Sequence, residues 1–311
     1  MIWEFVSAIR IESRSAKTSC FRPCRIISEA LILGKAPDAV LLAMNPRLIS
    51  ILACPQCRHA LHLERDRLAC ENCAGSFEMR DQTALFLPEP VQIVPAEHKS
   101  NPLGAEYEMI LREGKKFVLN IGAGATTTRY TNCIEFEHKI FRNTDVVGDA
   151  HCLPFRNGIF DCVFAFNVFE HLENPRRAAA EILRVLKNGG SLVIHTAFLQ
   201  PLHEAPLHFY NATEYGVRSW FKDFDVEKCH VSPNFTVPFM LAFLLSEVLE
   251  SVGASCGKEA REAVGQTTLR DWADLWSDRS KVPAVFQELQ NLPNEFHSRI
   301  SAGFELVARK P

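Results

Sequence analysis

The alternation of apolar and polar positions divides the chain into two parts. Between residues 54 and 87, the runs "HALHLERDRLAC" and "GSFEMRDQTALFL" alternate with period two and predict two short hairpins in a small unit. From Phe117 onward, strand-like apolar runs alternate with helical patterns, which indicates a mainly parallel sheet with helices on its faces. The predicted fold class is therefore α/β, a Rossmann-like doubly wound sheet preceded by a small β domain.

The same patterns predict the segment boundaries. The predicted segments are a leader without clean periodicity at 1–43, the small unit at 44–90, a linker rich in proline and polar residues at 91–116, and the α/β domain at 117–311. Residues 232–299 interrupt this domain as a helical insert before a last strand, "ISAGFELVARK". The insert is expected to cover the sheet; the alternatives are a lid or apolar substrate wall, or a contact with a membrane surface. One hypothesis for the leader is that translation starts at Met44.

Connection lengths predict that the first half of the sheet is poorly covered. The segments from Gly124 to Ile134 and from Glu137 to Asp145 are too short for full crossover helices. Two helices of the fold are therefore expected to be lost or reduced. A later helix opens at Asn174-Pro175 and is expected to end at Gly189-Gly190, with the next strand beginning after it.

Composition excludes some functions. The chain has 311 residues, 47% of them hydrophobic, and a net charge of −3, so nucleic acid is not an expected partner. The longest apolar run, "VPFMLAFLL", is shorter than the roughly 20 residues of a membrane helix, so no transmembrane segment is expected. Without a secretory signal pattern, the eleven cysteines indicate a reducing, cytoplasmic location.

Four of the cysteines have metal-ligand spacing. They form two C-x2-C pairs separated by twelve residues: Cys54, Cys57, Cys70 and Cys73. Each pair places two thiolates on one side of a tight turn, and two such turns can complete a tetrahedron around structural zinc. The alternative is a metal-free remnant or a redox pair. The unit is too small to bury much apolar surface, so zinc is expected to supply much of its folding energy.

The small unit resembles the zinc-ribbon activator proteins that partner tRNA and release-factor methyltransferases, and their short bacterial relatives. The matching stretches are "LISILACPQC", "LACENC" and the R-D-x-x-x-L-F-L pattern ending at Leu87. The resemblance implies that the ribbon contacts a methyltransferase domain. Here that contact would be intramolecular, and it would shield or stabilise the catalytic domain.

A glycine turn follows the first strand of the α/β domain in "KKFVLNIGAGATTTRY". Gly122 and Gly124 allow close approach of a nucleotide, but two glycines alone are weak evidence. A dinucleotide-binding dehydrogenase would have a third glycine at position 127, where Thr127 stands.

The later motifs are more specific. "DAHCLPF", "FDCV", "EH" and "RVLKNGG" occur in this order, and together they resemble the type 11 group of class I S-adenosylmethionine-dependent methyltransferases. The resemblance implies S-adenosylmethionine as cofactor, with Gly122 and Gly124 against its methionine part and Glu137, or less favourably Glu135, on the ribose. It further implies the following contacts: Asp149 to the adenine amino group, Ala150 to the ring, Asn167 beside the cofactor, and Asn120 at the end of the first strand.

Two departures weaken this resemblance. Asn120 replaces the usual acidic residue, and Thr126 replaces the third glycine of the family loop. The alternative is therefore a non-catalytic scaffold that carries a protein-binding ribbon. The retained Glu137 and Asp149 argue against it, because a scaffold needs neither contact.

The loop after the fifth strand contains the candidate catalytic residues. His203 and His208, with His171 behind them, suit a general base at neutral pH. The alternative for each is a structural role in hydrogen bonds to the loop backbone. Asn167 is followed by Val168 and Phe169, so the Asn-Pro-Pro-Tyr type of signature for amino-group methylation is absent. A small metabolite, lipid or sugar is the expected acceptor, and no oligomeric state is predicted.

Overall fold

The structure is a computed structural model that describes residues 45–88 and 90–310. The predicted leader at 1–43 and the hypothesis about Met44 lie outside the described residues. The chain forms two compact units. The amino-terminal unit extends to Phe164 and includes Arg184–Leu192, and the carboxyl-terminal unit comprises Ala165–Leu183 and the chain from Val193 onward.

The strands are β1 His62–Glu64, β2 Arg67–Ala69, β3 Ser76–Arg80, β4 Thr83–Leu85, β5 Val118–Ile121, β6 Cys133–Glu137, β7 Val146–Val147, β8 Phe160–Phe166 and β9 Leu186–His195. The helices are α1 Leu48–Ile51, α2 Ala105–Glu113, α3 Pro175–Val185, α4 Glu214–Trp220, α5 Val237–Cys256, α6 Lys258–Gly265, α7 Leu269–Ser277, α8 Phe286–Gln290 and α9 Asn294–Ile300.

One sheet contains the strands of the described chain in the order β1-β2-β3-β4-β7-β6-β5-β8-β9. The two predicted hairpins are confirmed, since β1–β2 and β3–β4 pair antiparallel. The pairs β5–β6 and β6–β7 are parallel, and the order β7-β6-β5-β8-β9 is that of a doubly wound sheet. No helix lies in the described connections β5–β6 and β6–β7, which confirms the predicted reduction.

The ribbon is joined to the α/β sheet through β4. Its residues Ala84 and Leu85 pair in parallel with Val146 and Val147 of β7, and Thr83 Oγ1 donates to the backbone oxygen of Thr144 at 2.8 Å. All three β4 residues are buried, as expected of a strand covered on both faces. The predicted contact between ribbon and methyltransferase-like domain is therefore present.

Phenylalanine rings fill the core of the amino-terminal unit. Phe160 stacks on Phe117 with 5.2 Å between ring centroids and meets Phe155 edge-on at 5.2 Å, and Phe155 in turn contacts Phe136. Strands β5 and β6 are buried along their whole length. The apolar strand runs of the sequence therefore form a continuous core beneath the loops that follow β5, β6 and β7.

The segment predicted as a linker is structured. It contains helix α2, and Ile93 forms a parallel bridge with Ile140. The backbone N–H of Val94 donates to the oxygen of Ile140 at 2.8 Å. Part of this segment pairs with the connection after β6, where a crossover helix is missing. The assignment of 91–116 as the linker between two domains stays a prediction.

The predicted end of one helix and the predicted last strand were wrong. Helix α3 ends at Val185, and Gly189-Gly190 lie inside β9, with Gly189 at φ +73°. Glycine tolerates this left-handed conformation without ending the strand. The last strand, "ISAGFELVARK", is absent: residues 301–310 form no strand, and Phe304 and Leu306 are exposed. Partial alternation favours a strand only where a neighbouring strand is available to pair with it.

Helix α5 corrects the expectation about membrane segments. The apolar run continues beyond "VPFMLAFLL" into a helix of 20 residues, which by length and composition alone is long and apolar enough to cross a membrane. Mostly buried core helices of soluble proteins pass the same test, whereas only 17% of the most apolar 18-residue window of this helix is buried. Glu247 on this helix is buried and lies 2.6 Å from Arg299, and Val252 packs with Val264 in a small core.

Candidate functional site

The four predicted cysteine ligands come together in the ribbon. Their sulfurs all lie within 4.8 Å of one another, with 3.5 Å between Sγ of Cys54 and Cys73 and 3.4 Å between Sγ of Cys57 and Cys70. All four are free thiols. A zinc tetrahedron with bonds of about 2.3 Å separates its sulfurs by somewhat less than 4 Å. The four thiols therefore fit a zinc ion.

Each C-x2-C turn ends in a left-handed residue. Arg58 follows Cys57 at φ +66°, and Ala74 follows Cys73 at φ +55°. This conformation turns the chain back, so that Cys54 N–H donates to the oxygen of His59 and Cys70 N–H to that of Gly75, both at 2.8 Å. A hydrogen bond from the backbone of His59 lowers the pKa of Cys57 to about 6, whereas burial raises the pKa of Cys54 and the neighbouring thiols raise that of Cys73 to about 12. Zinc binds the thiolate form, so proton release would accompany its binding.

The first cysteine turn rests on the loop after β7. Arg58 Nη1 donates to the oxygen of Leu153 at 2.8 Å, and Ala53 N–H donates to the oxygen of Pro154 at 2.9 Å. On the other side, Cys152 Sγ donates to the oxygen of Pro55 at 3.0 Å. The metal turn and the "HCLPF" loop therefore support each other's backbone.

The predicted cofactor residues of the amino-terminal unit lie at the carboxyl ends of adjacent strands. Gly122 and Gly124 follow β5 at φ +68° and +66°, and Glu137 ends β6. Glu137 is 5% exposed, and its Oε1 accepts the N–H of Gly124 at 2.6 Å. Asn120 is buried within β5. The buried carboxylate of Glu137 therefore fixes the glycine turn.

Ser100 lies directly against this turn. Its Oγ accepts the N–H of Ala125 at 2.8 Å, and a Cβ added to Gly124 would lie 2.5 Å from that oxygen. Both the positive φ and this contact require glycine at 124. Sequence reasoning missed Ser100 because nothing in its polar surroundings distinguishes it from other residues of the presumed linker.

Glu135 has a different environment from Glu137. Both of its oxygens lie 2.7 Å from the hydroxyl of Thr126, and its backbone N–H donates to Asp145, which also pairs with Arg129. Burial raises the pKa of Glu135 to about 8, with Asp145 and Glu137 adding to the effect. Glu135 therefore holds Thr126, the residue that replaces the third glycine of the family loop, while Glu137 binds the N–H of Gly124.

Asp149 is accessible from solvent. Its side chain is 50% exposed, and its Oδ1 accepts the backbone N–H of His151 at 2.9 Å and lies 2.6 Å from the ring Nδ1 of that histidine. It caps the 3-10 turn Ala150–Cys152, in which Ala150 is buried. The second oxygen of an exposed carboxylate can accept a further hydrogen bond.

These residues fit the nucleoside part of S-adenosylmethionine. Carboxylates at the ends of β6 and just after β7 suit the two hydrogen-bonding ends of an adenosine, since ligands of doubly wound sheets bind at the carboxyl ends of the strands. The methionine part is less well accommodated. To admit the methionine part, the Ser100 hydroxyl would have to turn away from Gly124. The N–H of Gly124 would also have to exchange its hydrogen bond to Glu137 for one to the cofactor.

The remaining predicted residues lie in the carboxyl-terminal unit. Asn167 is exposed at φ +56°, and its N–H donates to the oxygen of His195. His203 and His208 are neighbours, with 4.3 Å between ring centroids. Nδ1 of His208 accepts the backbone N–H of His203 at 3.2 Å, and its Nε2 lies 3.1 Å from the oxygen of Tyr210. Both nitrogens of His208 are therefore engaged with the loop backbone.

His171 and Glu170 complete this cluster. The ring of His171 lies 5.0 Å from that of His203, and burial lowers the pKa of His171 to about 4. Glu170 is fully buried, and burial raises its pKa to about 7. Its Oε2 accepts the hydroxyl of Thr196 at 3.0 Å. Sequence reasoning named Glu170 only as part of the "EH" motif, because nothing local shows that its side chain points inward.

Two families match the chain. Residues 45–81 match the family described as Trm112p-like protein, and residues 125–194 match the family described as Methyltransferase domain. A protein named UPF0434 from Legionella pneumophila (strain Corby) is 30% identical over 56 residues, which are 18% of this chain and 95% of that protein. Through its ribbon, the chain belongs to the family of these short proteins.

Other similarities are more partial. A demethylmenaquinone methyltransferase from Renibacterium salmoninarum is 43% identical over 49 residues, which are 16% of this chain. The chain spans only 14% and 21% of the length of the first two curated relatives that it matches. The solved Haemonchus contortus phosphoethanolamine N-methyltransferase 2, in complex with S-adenosyl-L-methionine, is 16% identical over 61% of this chain and 49% of its own. Its TM-score is 0.32, too low to add to the argument.

Fold and family matches together define the class of protein. It combines a Rossmann-like sheet, in which residues 125–194 match the methyltransferase domain family, with an amino-terminal four-cysteine unit that matches the Trm112p-like family.

Proposed function

We propose that this protein transfers the methyl group of S-adenosylmethionine to a small metabolite, lipid or sugar in the cytoplasm. The observation that carries the proposal is the set of groups at the ends of three neighbouring parallel strands. It consists of the glycine turn after β5, Glu137 at the end of β6 and the exposed carboxylate of Asp149 after β7. The match to the methyltransferase domain family over residues 125–194 supports the same conclusion.

The cofactor, when bound, supplies an electrophilic methyl group. The chain's own residues would bind and orient it: Glu137 would accept from the ribose hydroxyls, and Asp149 from the adenine amino group. Methyl transfer depends mainly on the alignment of the two reactants. A base is needed only if the acceptor atom must lose a proton. Nε2 of His203 would take this role only while no metal ion occupies it; it is the better candidate of the two because both nitrogens of His208 already make backbone hydrogen bonds.

The ribbon would serve this function as a structural support. Its first cysteine turn holds the backbone oxygens of Leu153 and Pro154, a few residues after Asp149. Zinc in the ribbon would therefore keep the adenine-binding loop in position. The ribbon is a poor candidate for nucleic-acid binding, because acidic residues outnumber basic ones between Ile51 and Pro90.

Calorimetric titration of the zinc-loaded protein with S-adenosylmethionine tests the proposal. We expect micromolar binding in the wild type. Asp149→Ala should weaken binding roughly 10- to 100-fold, because a hydrogen bond to a charged group contributes about 1.5–3 kcal/mol. Asp149→Asn, which keeps an oxygen for the turn at His151, should lie between the two.

Asp223→Ala is the matched control, since Asp223 is an exposed aspartate in the carboxyl-terminal unit. It should bind the cofactor like the wild type. Absence of binding at millimolar cofactor would reject the methyltransferase proposal. That result would favour the non-catalytic scaffold. Two hydrogen bonds support this alternative, from the N–H of Gly124 to Glu137 and from the N–H of Ala125 to Ser100, because they occupy the N–H groups of the glycine turn.

A further inference from the structure

The carboxyl-terminal unit contains a second group of metal-ligand side chains. Glu170 and His171 lie in the 3-10 turn Phe169–His171 after β8, and His203 lies in the loop after β9. One donor atom from each of the three lies within 4.8 Å of the others. Two imidazoles and one carboxylate are a ligand set that divalent transition metals use when coordination positions are left open.

The hydrogen bonds of the two histidines fix their tautomers. Nδ1 of His171 lies 2.9 Å from the backbone oxygen of Leu207, and Nδ1 of His203 lies 2.9 Å from that of Pro201. A carbonyl oxygen only accepts, so each Nδ1 must carry the proton, which leaves the lone pair on Nε2. Histidines that bind metals through one nitrogen typically donate the other N–H to a carbonyl or carboxylate.

Glu170 supplies an independent observation. Its side chain is fully buried, yet Oε1 has no hydrogen-bond partner among the described residues, while Oε2 accepts from Thr196. A buried carboxylate oxygen without a partner is costly, and such groups call for an explanation. A cation held between Oε1 and the two imidazoles would satisfy it, with Thr196 holding the other oxygen in place.

We propose that Glu170, His171 and His203 bind a divalent transition-metal ion, with zinc as the expected ion. Three protein ligands leave at least one position for water or for an oxygen of a small ligand. His208 does not bind the ion: its Nδ1 accepts the backbone N–H of His203, so it positions that ligand. A metal on Nε2 of His203 excludes the general-base role for this histidine. The proposal stands independently of methyl transfer.

Cobalt titration of the full chain, loaded with one equivalent of zinc and freed of excess metal, tests this site. The four-thiolate site takes up this single equivalent and the second site stays empty, so added Co²⁺ reports on the second site alone. We expect one further equivalent of Co²⁺ to bind with weak d–d absorption bands and without the intense thiolate-to-cobalt charge transfer of a cysteine site. Excess Zn²⁺ should remove these bands.

Variants assign the bands to residues. Glu170→Gln and His203→Ala should abolish them, and Thr196→Val should weaken cobalt affinity roughly 10- to 100-fold as an outer-shell change. His230→Ala removes an exposed histidine of the same unit and should leave the titration unchanged. Circular dichroism and thermal unfolding verify that each variant folds. The absence of cobalt bands in the wild type, or bands that persist in folded Glu170→Gln and His203→Ala, would overturn the proposal.

Discussion

The ribbon and the α/β sheet share hydrogen bonds, yet different forces stabilise them. In ribbon strands β1–β3, most residues are exposed or half-buried, whereas every residue of β5 and β6 is buried. With the zinc ion that its four cysteines fit, a unit that buries little apolar surface would depend on its metal, while the sheet depends on its packed phenylalanines. The two parts should therefore respond to different perturbations.

Removal of the zinc should have the largest effect. Cys70→Ser breaks the tetrahedron, and structural zinc contributes about 10–16 kcal/mol to the folding of small zinc-binding peptides. We expect loss of zinc by elemental analysis and at least a tenfold loss of S-adenosylmethionine affinity by calorimetry, because the cysteine turn supports the loop after Asp149. Cys256→Ser, at an exposed thiol, is the control. Retained zinc, or unchanged affinity without zinc, would refute the dependence.

A core substitution in the sheet should have the next largest effect. Phe160→Ala removes a fully buried ring between Phe117 and Phe155, and such changes lower the free energy of unfolding by about 3–5 kcal/mol. The zinc content of the folded protein should remain that of the wild type. Denaturant unfolding measures the first quantity, with exposed Phe304→Ala as the unaffected control. If Phe160→Ala also released zinc, the proposed division of forces would fail.

The buried acid Glu135 should make the free energy of unfolding of the sheet depend on pH. Its pKa of about 8 in the folded protein exceeds the ordinary value of 4.5, so the folded state holds a proton that the unfolded state releases. This contribution to stability is complete below pH 4.5 and is lost as pH rises through about 8. Thr126, Asp145, Arg129 and Glu137 are the groups that face it.

Glu135→Gln should therefore flatten the decline in the free energy of unfolding between pH 5 and 8. It should stabilise the protein at pH 8 by about 1 kcal/mol or more. Urea unfolding across this pH range measures the effect. Exposed Glu227→Gln serves as the control, and an unchanged slope in Glu135→Gln would contradict the buried-acid explanation.

The smallest expected effect concerns Ser100. Ser100→Gly removes the hydroxyl that lies against Gly124 and frees the N–H of Ala125. Because one hydrogen bond contributes about 0.5–1.5 kcal/mol, cofactor affinity should rise roughly 2- to 10-fold. Calorimetry compares it with Ser50→Gly, an exposed serine on α1. Weaker binding in Ser100→Gly would mean that Ser100 supports the turn and does not compete with the cofactor.

Local patterns explain which parts of the molecule the sequence predicts. The cysteine turns follow from spacing alone, and the buried strands follow from short apolar runs between turn residues. The missing crossover helices follow from connection length. All three features are confirmed, because each depends on residues close together in the chain.

Features that depend on distant residues were not predictable in this way. The pairing of Ala84 with Val146, the contact of Ser100 with Gly124 and the approach of His203 to Glu170 join residues far apart in sequence. The absent last strand has the same origin, since period-two alternation gives no information about whether a neighbouring strand is available. Helix α5 is longer than the predicted apolar run because its second half mixes apolar and polar residues, which ends the run but not the helix.

The parallel pairing of β4 with β7 has a consequence for how much ribbon is present for each sheet. A ribbon that covers a sheet edge from a separate chain can be lost by dilution, and its amount must be matched to that of its partner. Covalent attachment holds the local concentration of the ribbon at a high, constant value and fixes the ratio at one to one. The edge of β7 is thereby covered by β4 in every copy of the chain.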